Sequence, residues 1–205
     1  MQSFSSAAHS AKYKANLEVT CAVCLLQSTQ DSSRGVVYTH WGRDACVSTG
    51  ARPMYIGYIA TSVSTSTAGS SCVCLTSAPR WDGTSDTAQR GTAEHLSRVE
   101  YADNSALSML AALDNFDAVC AVCQAPGRSW ALTVSGRTDC PSNHVLDYQG
   151  YLMTETYTGA QRRQHICVDG AATGVAGSEA AAPSAALYPT ESAEGMHKGI
   201  SDTIK

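Results

Sequence analysis

Apolar residues in this chain come in short clusters, not in long periodic blocks. G-V-V-Y-T-H-W (35–41), P-M-Y-I-G-Y-I-A-T (53–61), W-A-L-T-V (130–134) and D-Y-Q-G-Y-L-M-T (147–154) are runs of β-branched and aromatic residues bounded by Gly, Pro, Asp or Ser. That pattern predicts strands separated by turns, and hence a mainly β fold. A glycine inside each Y-x-G-Y run predicts a bulge or the close approach of another backbone. One helix is expected, with Asn104 capping Ser105 to Leu113 and Leu107, Leu110, Ala111 and Leu113 near one stripe. Residues 170–186, G-A-A-T-G-V-A-G-S-E-A-A-A-P-S-A-A, are biased to Ala, Gly and Ser and read as a covering loop, coil or linker.

The same order of motifs occurs twice. Cys21-Ala-Val-Cys24 and Cys120-Ala-Val-Cys123 are separated by 99 residues. Gly42-Arg43 matches Gly136-Arg137 and Cys46 matches Cys140 at an offset of 94. Y-I-G-Y-I-A-T (55–61) matches Y-Q-G-Y-L-M-T (148–154), and Cys74 matches Cys167, at 93. Ordered matches with small drifts are what two tandem copies with unequal loops produce. The expected architecture is therefore two β-rich pseudo-repeats in one compact pseudo-twofold unit.

Composition raises the question of what holds such a unit together. Leu, Ile, Val and Phe make 33 of 205 residues, about 16%, below the rough 20% at which an apolar core suffices alone. The net charge is only -4, far from the self-repulsion of a disordered chain. With a pI near 5.8 and no Lys/Arg cluster beyond Arg162-Arg163, neither nucleic acid nor anionic lipid is an expected partner. No run approaches the roughly 18 apolar residues of a membrane span. M-Q-S-F-S-S-A-A-H-S lacks the apolar centre of a secretory signal, so an extracellular chain of this sequence would begin after its leader.

Nine cysteines are the remaining resource, and three uses compete. Two C-x-x-C pairs can make a four-thiolate zinc site, although these pairs are much farther apart than in zinc ribbons. A redox C-x-x-C needs a helix N-terminus that neither pair has. Structural disulfides suit a thin core in an oxidising compartment. The six histidines sit in no catalytic frame, which points away from an enzyme; no metal or cofactor is expected. His144, four residues after Cys140, is a weak metal signal, and Asp114 with Asp117 reads as a solvated acidic turn. Trp41, Trp81, Trp130 and the Y-x-G-Y tyrosines could stack on sugar rings, with His40, Arg43 and Arg137 donating hydrogen bonds beside them. The plainer reading puts the tyrosines and Trp130 in the core and makes each G-R a turn whose Arg meets an acid such as Asp44 or Asp139. No N-x-S/T sequon is present.

T-H-W-G-R-D-A-C, Y-I-G-Y, A-V-C-A-V-C-Q-A-P, T-D-C-P, Y-Q-G-Y-L-M and H-I-C-V-D resemble the noncollagenous domain of invertebrate short-chain, spongin-type collagen-like proteins. That domain is distantly similar to the C-terminal noncollagenous domain of type IV collagen. The likeness covers roughly residues 35–190, without a Gly-X-Y tract, so no triple helix is implied. The family ends on a segment like E-L-T-C-A-V-C, whereas L-E-V-T-C-A-V-C (17–24) lies at the start here, as in a circular permutation. The resemblance implies the pairs Cys46–Cys123, Cys74–Cys120, Cys24–Cys140 and Cys21–Cys167, each C-A-V-C fastening the other copy. Cys72 is left over, as a free buried thiol, as one that exchanges with Cys74, or as one that bonds another chain. The implied organisation is an extension over 1–16, then one unit over 17–205 with copies at about 17–115 and 116–190 and an Ala/Gly/Ser-rich segment over 170–205. The implied role is a secreted, non-enzymatic module in extracellular matrix or biomineral scaffold assembly, associating with itself or with other matrix proteins. The alternative is a secreted glycan-binding, lectin-like protein.

Overall fold

The computed structural model describes residues 20–27, 35–62, 71–80, 96–102, 107–155, 164–179 and 185–192. Residues 1–16, Trp81 and Arg162-Arg163 lie outside them. Eleven strands follow in chain order: β1 (Thr20–Gln27), β2 (Gly35–Trp41), β3 (Arg52–Ser62), β4 (Val73–Thr76), β5 (Leu96–Arg98), β6 (Glu100–Tyr101), β7 (Val119–Pro126), β8 (Arg128–Ser135), β9 (His144–Glu155), β10 (Ile166–Asp169) and β11 (Ala186–Pro189). A single helical turn, α1 (Ser108–Ala111), precedes β7. The fold is mainly β, a curled sheet with one short helix.

The principal sheet runs β4-β3-β7-β2-β10-β9-β1-β8. It divides into two antiparallel quartets, β4-β3-β7-β2 and β10-β9-β1-β8, whose members correspond in order through the repeat. Registers correspond too. Cys120 lies opposite Trp41 on β2 and Gly57 on β3, while Cys21 lies opposite Ser135 on β8 and Gly150 on β9. Each C-A-V-C strand is thus the inner strand of the other copy's quartet: β7, late in the chain, sits between β2 and β3, and β1, at its start, sits between β8 and β9. The quartets are hydrogen-bonded through one parallel bridge, Val168 on β10 beside Trp41 on β2, and β2 also lies along β8. Among the described residues the counterpart strands do not repeat that contact: β4 pairs only with β3 and β8 only with β1. The two copies are therefore joined in tandem and not by a closed twofold.

Both Y-x-G-Y glycines mark places where neighbouring backbone presses in. A Cβ on Gly57 would lie 1.9 Å from the Leu75 carbonyl oxygen, and one on Gly150 1.7 Å from that of Val168. No side chain fits there. Three residues earlier each strand also bulges, with Met54 and Asp147 skipped in the pairing with β7 and β1. A bulge re-aims its extra residue.

The core is in two parts. One gathers Ile59, Tyr101, Leu110, Met153, Val168 and Leu187; the other gathers Val23, Leu25, Tyr38, Tyr148 and the alanines of β7 around Cys21, Cys123 and Cys167. In the second, bonded sulfurs fill volume that larger aliphatic side chains would otherwise occupy.

Three expectations are corrected. The helix is one turn, with Leu107 as its N-cap and no side-chain cap bond; Asn104 and Ser105 lie outside the described residues. It ends early because Asn115 turns to φ 66° and the chain then pairs with β6, Asn115 N–H donating to Tyr101 and Tyr101 N–H to Phe116. Asp117 is not on a solvated turn: it is 2% exposed and ion-paired with Arg98. Trp130 is not core, being 46% exposed with its ring edge-on to His144.

Candidate functional site

Four disulfides are formed, Cys21–Cys167, Cys24–Cys140, Cys46–Cys123 and Cys74–Cys120, each with Cα atoms 5.8 Å apart. These are the pairs the resemblance implies. No C-A-V-C closes on itself, because neighbouring i and i+3 residues of a strand project apart. With their sulfurs bonded, the C-x-x-C motifs supply neither zinc ligands nor a dithiol. Cys72 is free and buried; burial, with the Glu155 charge adding to it, pushes its thiol up to about 12.

The densest polar chemistry lies where the quartets meet. His40 on β2 is fully buried, and its ring stacks on Tyr148 of β9 with centroids 4.0 Å apart and planes inclined by 16°. Its Nε2 is 2.7 Å from Asp169 Oδ2 at the end of β10, and its Nδ1 is 3.7 Å from Asp147 Oδ2. The bulge aims Asp147 here, where Ser48 donates to its other oxygen. Tyr148 donates to the Cys167 carbonyl at 2.9 Å and accepts from the Trp41 N–H at 3.4 Å. Arg43 donates to the Ala171 carbonyl at 3.1 Å. Burial works to raise the Asp169 pKa, but hydrogen bonds from His40 and the Ala171 N–H, with the charges of His40 and Arg43, hold it below the ordinary carboxylate value. Burial and then the Asp147 charge push the Tyr38 hydroxyl well above its ordinary value.

His40, Trp41 and Arg43, predicted as candidate ligand contacts, are thus brought together, the His40 and Arg43 side chains and the Trp41 backbone N–H each bonded to the second copy. Arg137, the repeat counterpart of Arg43, stands apart and forms a two-point pair with Asp139 at 2.6 and 2.8 Å, both exposed. Gly42 (φ 92°) and Gly136 (φ 80°) make the left-handed turns before these arginines. Arg43 meets a carbonyl across the junction and Arg137 meets its own loop.

Sequence reasoning missed Asp147 and Asp169. Both lie in the second copy, at the positions that Met54 and Thr76 hold in the first, so a search for what the copies share passes over them. Beside them a groove of about 770 Å³ is lined by residues including Leu107, Met109, Thr138, Leu146 and Tyr151. Its ionisable lining groups are two carboxylates engaged at the junction and two tyrosines. Among the described residues no group of three His, Cys, Asp or Glu is placed to hold a metal ion, and no helix is long and apolar enough to cross a membrane.

Compared with known proteins, the chain matches no family model, no curated protein and no solved structure. The collagen-type resemblance rests on the motifs quoted above.

Proposed function

We propose that this chain is a secreted, non-enzymatic module that builds extracellular matrix or a biomineral scaffold by associating with itself. Disulfides of this number are the mark of an oxidising compartment, and a thin core clasped by four of them suits a protein exposed outside the cell. One observation carries the self-association: among the described residues the terminal strands of the sheet, β4 and β8, are each hydrogen-bonded on one side only, whereas their repeat counterparts, β10 and β2, pair with each other inside the chain. Free sheet edges recruit further strands unless they are blunted. Here the two edges differ, so contacts made through them are head-to-tail and not self-complementary.

Sedimentation velocity across a hundredfold range of concentration, beside a glycan array, tests this reading. A mass that rises with concentration and no saturable sugar binding is the expected result. A monomer at every concentration that binds a sugar saturably overturns it in favour of the lectin-like alternative.

A further inference from the structure

None of the four disulfides ties one quartet to the other. Cys74–Cys120 and Cys46–Cys123 stay with β4, β7 and the loop after β2, while Cys21–Cys167 and Cys24–Cys140 stay with β1, β10 and the loop after β8. Apart from the chain itself the quartets are joined by packing and by the buried polar set around His40, which belongs to the first copy and meets Asp147, Tyr148 and Asp169 of the second. Asp169 is held ionised, so it only accepts, and the hydrogen of the 2.7 Å contact sits on Nε2. Nδ1 decides the rest. It lies 3.7 Å from Asp147 Oδ2, and neither atom has a hydrogen-bond partner among the described residues. With a lone pair on Nδ1, two acceptors face each other; with a proton there, the ring bonds both carboxylates.

We propose that the junction between the copies is a proton-operated latch: a second proton on the His40 ring draws Asp147 in and closes it, and release of that proton loosens the quartets with every disulfide intact. The groups around the ring agree. β9 supplies the Tyr148 ring, stacked on the imidazole, and an aromatic face favours a cation. β2 supplies the Tyr38 hydroxyl, held protonated by burial and by the Asp147 charge. The loop after β2 supplies Ser48, bonded to Asp147, and Arg43, whose charge reaches Asp169. β7 places Ala121 opposite His40, and β8 carries no ionisable side chain after Arg128 at its start. With a neutral ring, two carboxylates face Arg43 alone; with a charged ring the set is balanced, and an unbalanced buried charge is what such an interior least tolerates. The latch is closed in mild acid, below the ordinary imidazole value of about 6.5, and opens as the pH rises beyond it, because giving up the proton favours the open form. It fails again in strong acid, where Asp169, held below the ordinary carboxylate value, takes a proton of its own. The latch works within one chain and is independent of self-association.

Amide hydrogen exchange on the full, nitrogen-15-labelled chain with its four disulfides, corrected for the intrinsic rate at each pH, reads the latch. The Trp41 and Thr173 amides donate across the junction, to the Tyr148 hydroxyl and the Gly42 carbonyl. Those of Ile59 and Gly170 donate within one quartet, to Ala118 and Gln149. Between about pH 6 and about pH 9 the opening equilibrium at Trp41 and Thr173 is expected to rise by up to roughly tenfold per pH unit, the slope of one proton, while Ile59 and Gly170 stay level. In Asp147→Asn the new amide donates to the bare Nδ1, so Trp41 and Thr173 are expected to stay protected across that range. In His40→Gln, which has no ring proton to lose, they are expected to be level at the open value. The parent alone suffices if a variant misfolds, since the ring nitrogen shifts of His40 are expected to show two protons at about pH 6. Four amides with one common pH profile, or a His40 ring with a single proton at about pH 6, overturn the latch. An Asp147→Asn profile as steep as the parent's also overturns it, because the proton lost then lies elsewhere.

Discussion

Removing one disulfide from each quartet separates two ways of reckoning what the cross-links contribute. Cys21–Cys167 spans 146 residues and Cys74–Cys120 spans 46. Taken singly, loop closure makes the longer bridge more stabilising by about 1 kcal/mol, through the logarithm of the length ratio. The second bridge of each clasp removes that difference. With Cys24–Cys140 formed, the covalent path from Cys21 to Cys167 runs three residues to Cys24 and twenty-seven from Cys140. With Cys46–Cys123 formed, the path from Cys74 to Cys120 runs twenty-eight residues to Cys46 and three from Cys123. The unfolded chain therefore closes nearly equal loops of 30 and 31 residues, each contributing about 3.5 kcal/mol. The packing lost is also comparable, since Cys21, Cys120 and Cys167 are all buried and Cys74 is half-buried. Cys21→Ala/Cys167→Ala and Cys74→Ala/Cys120→Ala are expected to lose equal stability, about 7 to 14 °C in melting temperature for a chain of this size. Guanidinium unfolding under non-reducing conditions, with the surviving bridges verified by peptide mapping, measures both. A loss larger by about 1 kcal/mol or more for the Cys21–Cys167 variant refutes the shared-clasp account.

Gly150→Ala drives a methyl into the Val168 carbonyl next to a bonded cysteine and is expected to cost at least about 3 kcal/mol, whereas Gly127→Ala, with open space around it at φ 67°, costs about 1 kcal/mol; denaturant midpoints compare them. Burial and the Asp117 charge raise the Glu100 pKa, so as pH climbs past the unfolded carboxyl value the unfolded state ionises first and stability falls. Glu100→Gln is expected to melt above the parent at neutral pH, with the gap closing in acid. Asp169 is depressed, so its contribution is present at neutral pH and lost as pH falls through its folded value; Asp169→Ala is expected to cost about 2 kcal/mol at neutral pH and to lose less than the parent on acidification. A thiol reagent is expected to find no reactive cysteine in the native protein, one in denatured unreduced protein and nine after reduction; reaction of Cys72 in the native state contradicts its burial.

What the sequence disclosed was whatever the two copies share. Cys21 and Cys120, Gly57 and Gly150, and Gly42 and Gly136 occupy matching strands and turns because identical motifs met identical backbone demands. The crossing of strands between copies was not readable from spacing alone, since β1 sits equally well by pattern in either quartet. The junction chemistry escaped for a different reason: His40, Asp147 and Asp169 have no polar counterparts in Val134, Met54 and Thr76. Trp130 was misplaced because an aromatic at a strand position reads as core, whereas its side chain stands near the exposed start of β8. The helix was overextended because the Leu107, Leu110 and Leu113 stripe carries no record of β6 capturing the chain at Asn115.

The Cys21–Cys167 bond also sets how the molecule bears tension. A pull applied beyond both residues passes from Cys21 to Cys167 through one covalent link, and the 146-residue span between them carries no load. Of the sheet, only Val168 and Asp169 of β10 and all of β11 lie beyond that link on the C-terminal side; the strands between the two cysteines and the other three bridges stay slack once the link is taut. Pulled by its two ends, one unit can lengthen only through the residues before Cys21 and after Cys167, and past that length the load falls on a sulfur–sulfur bond.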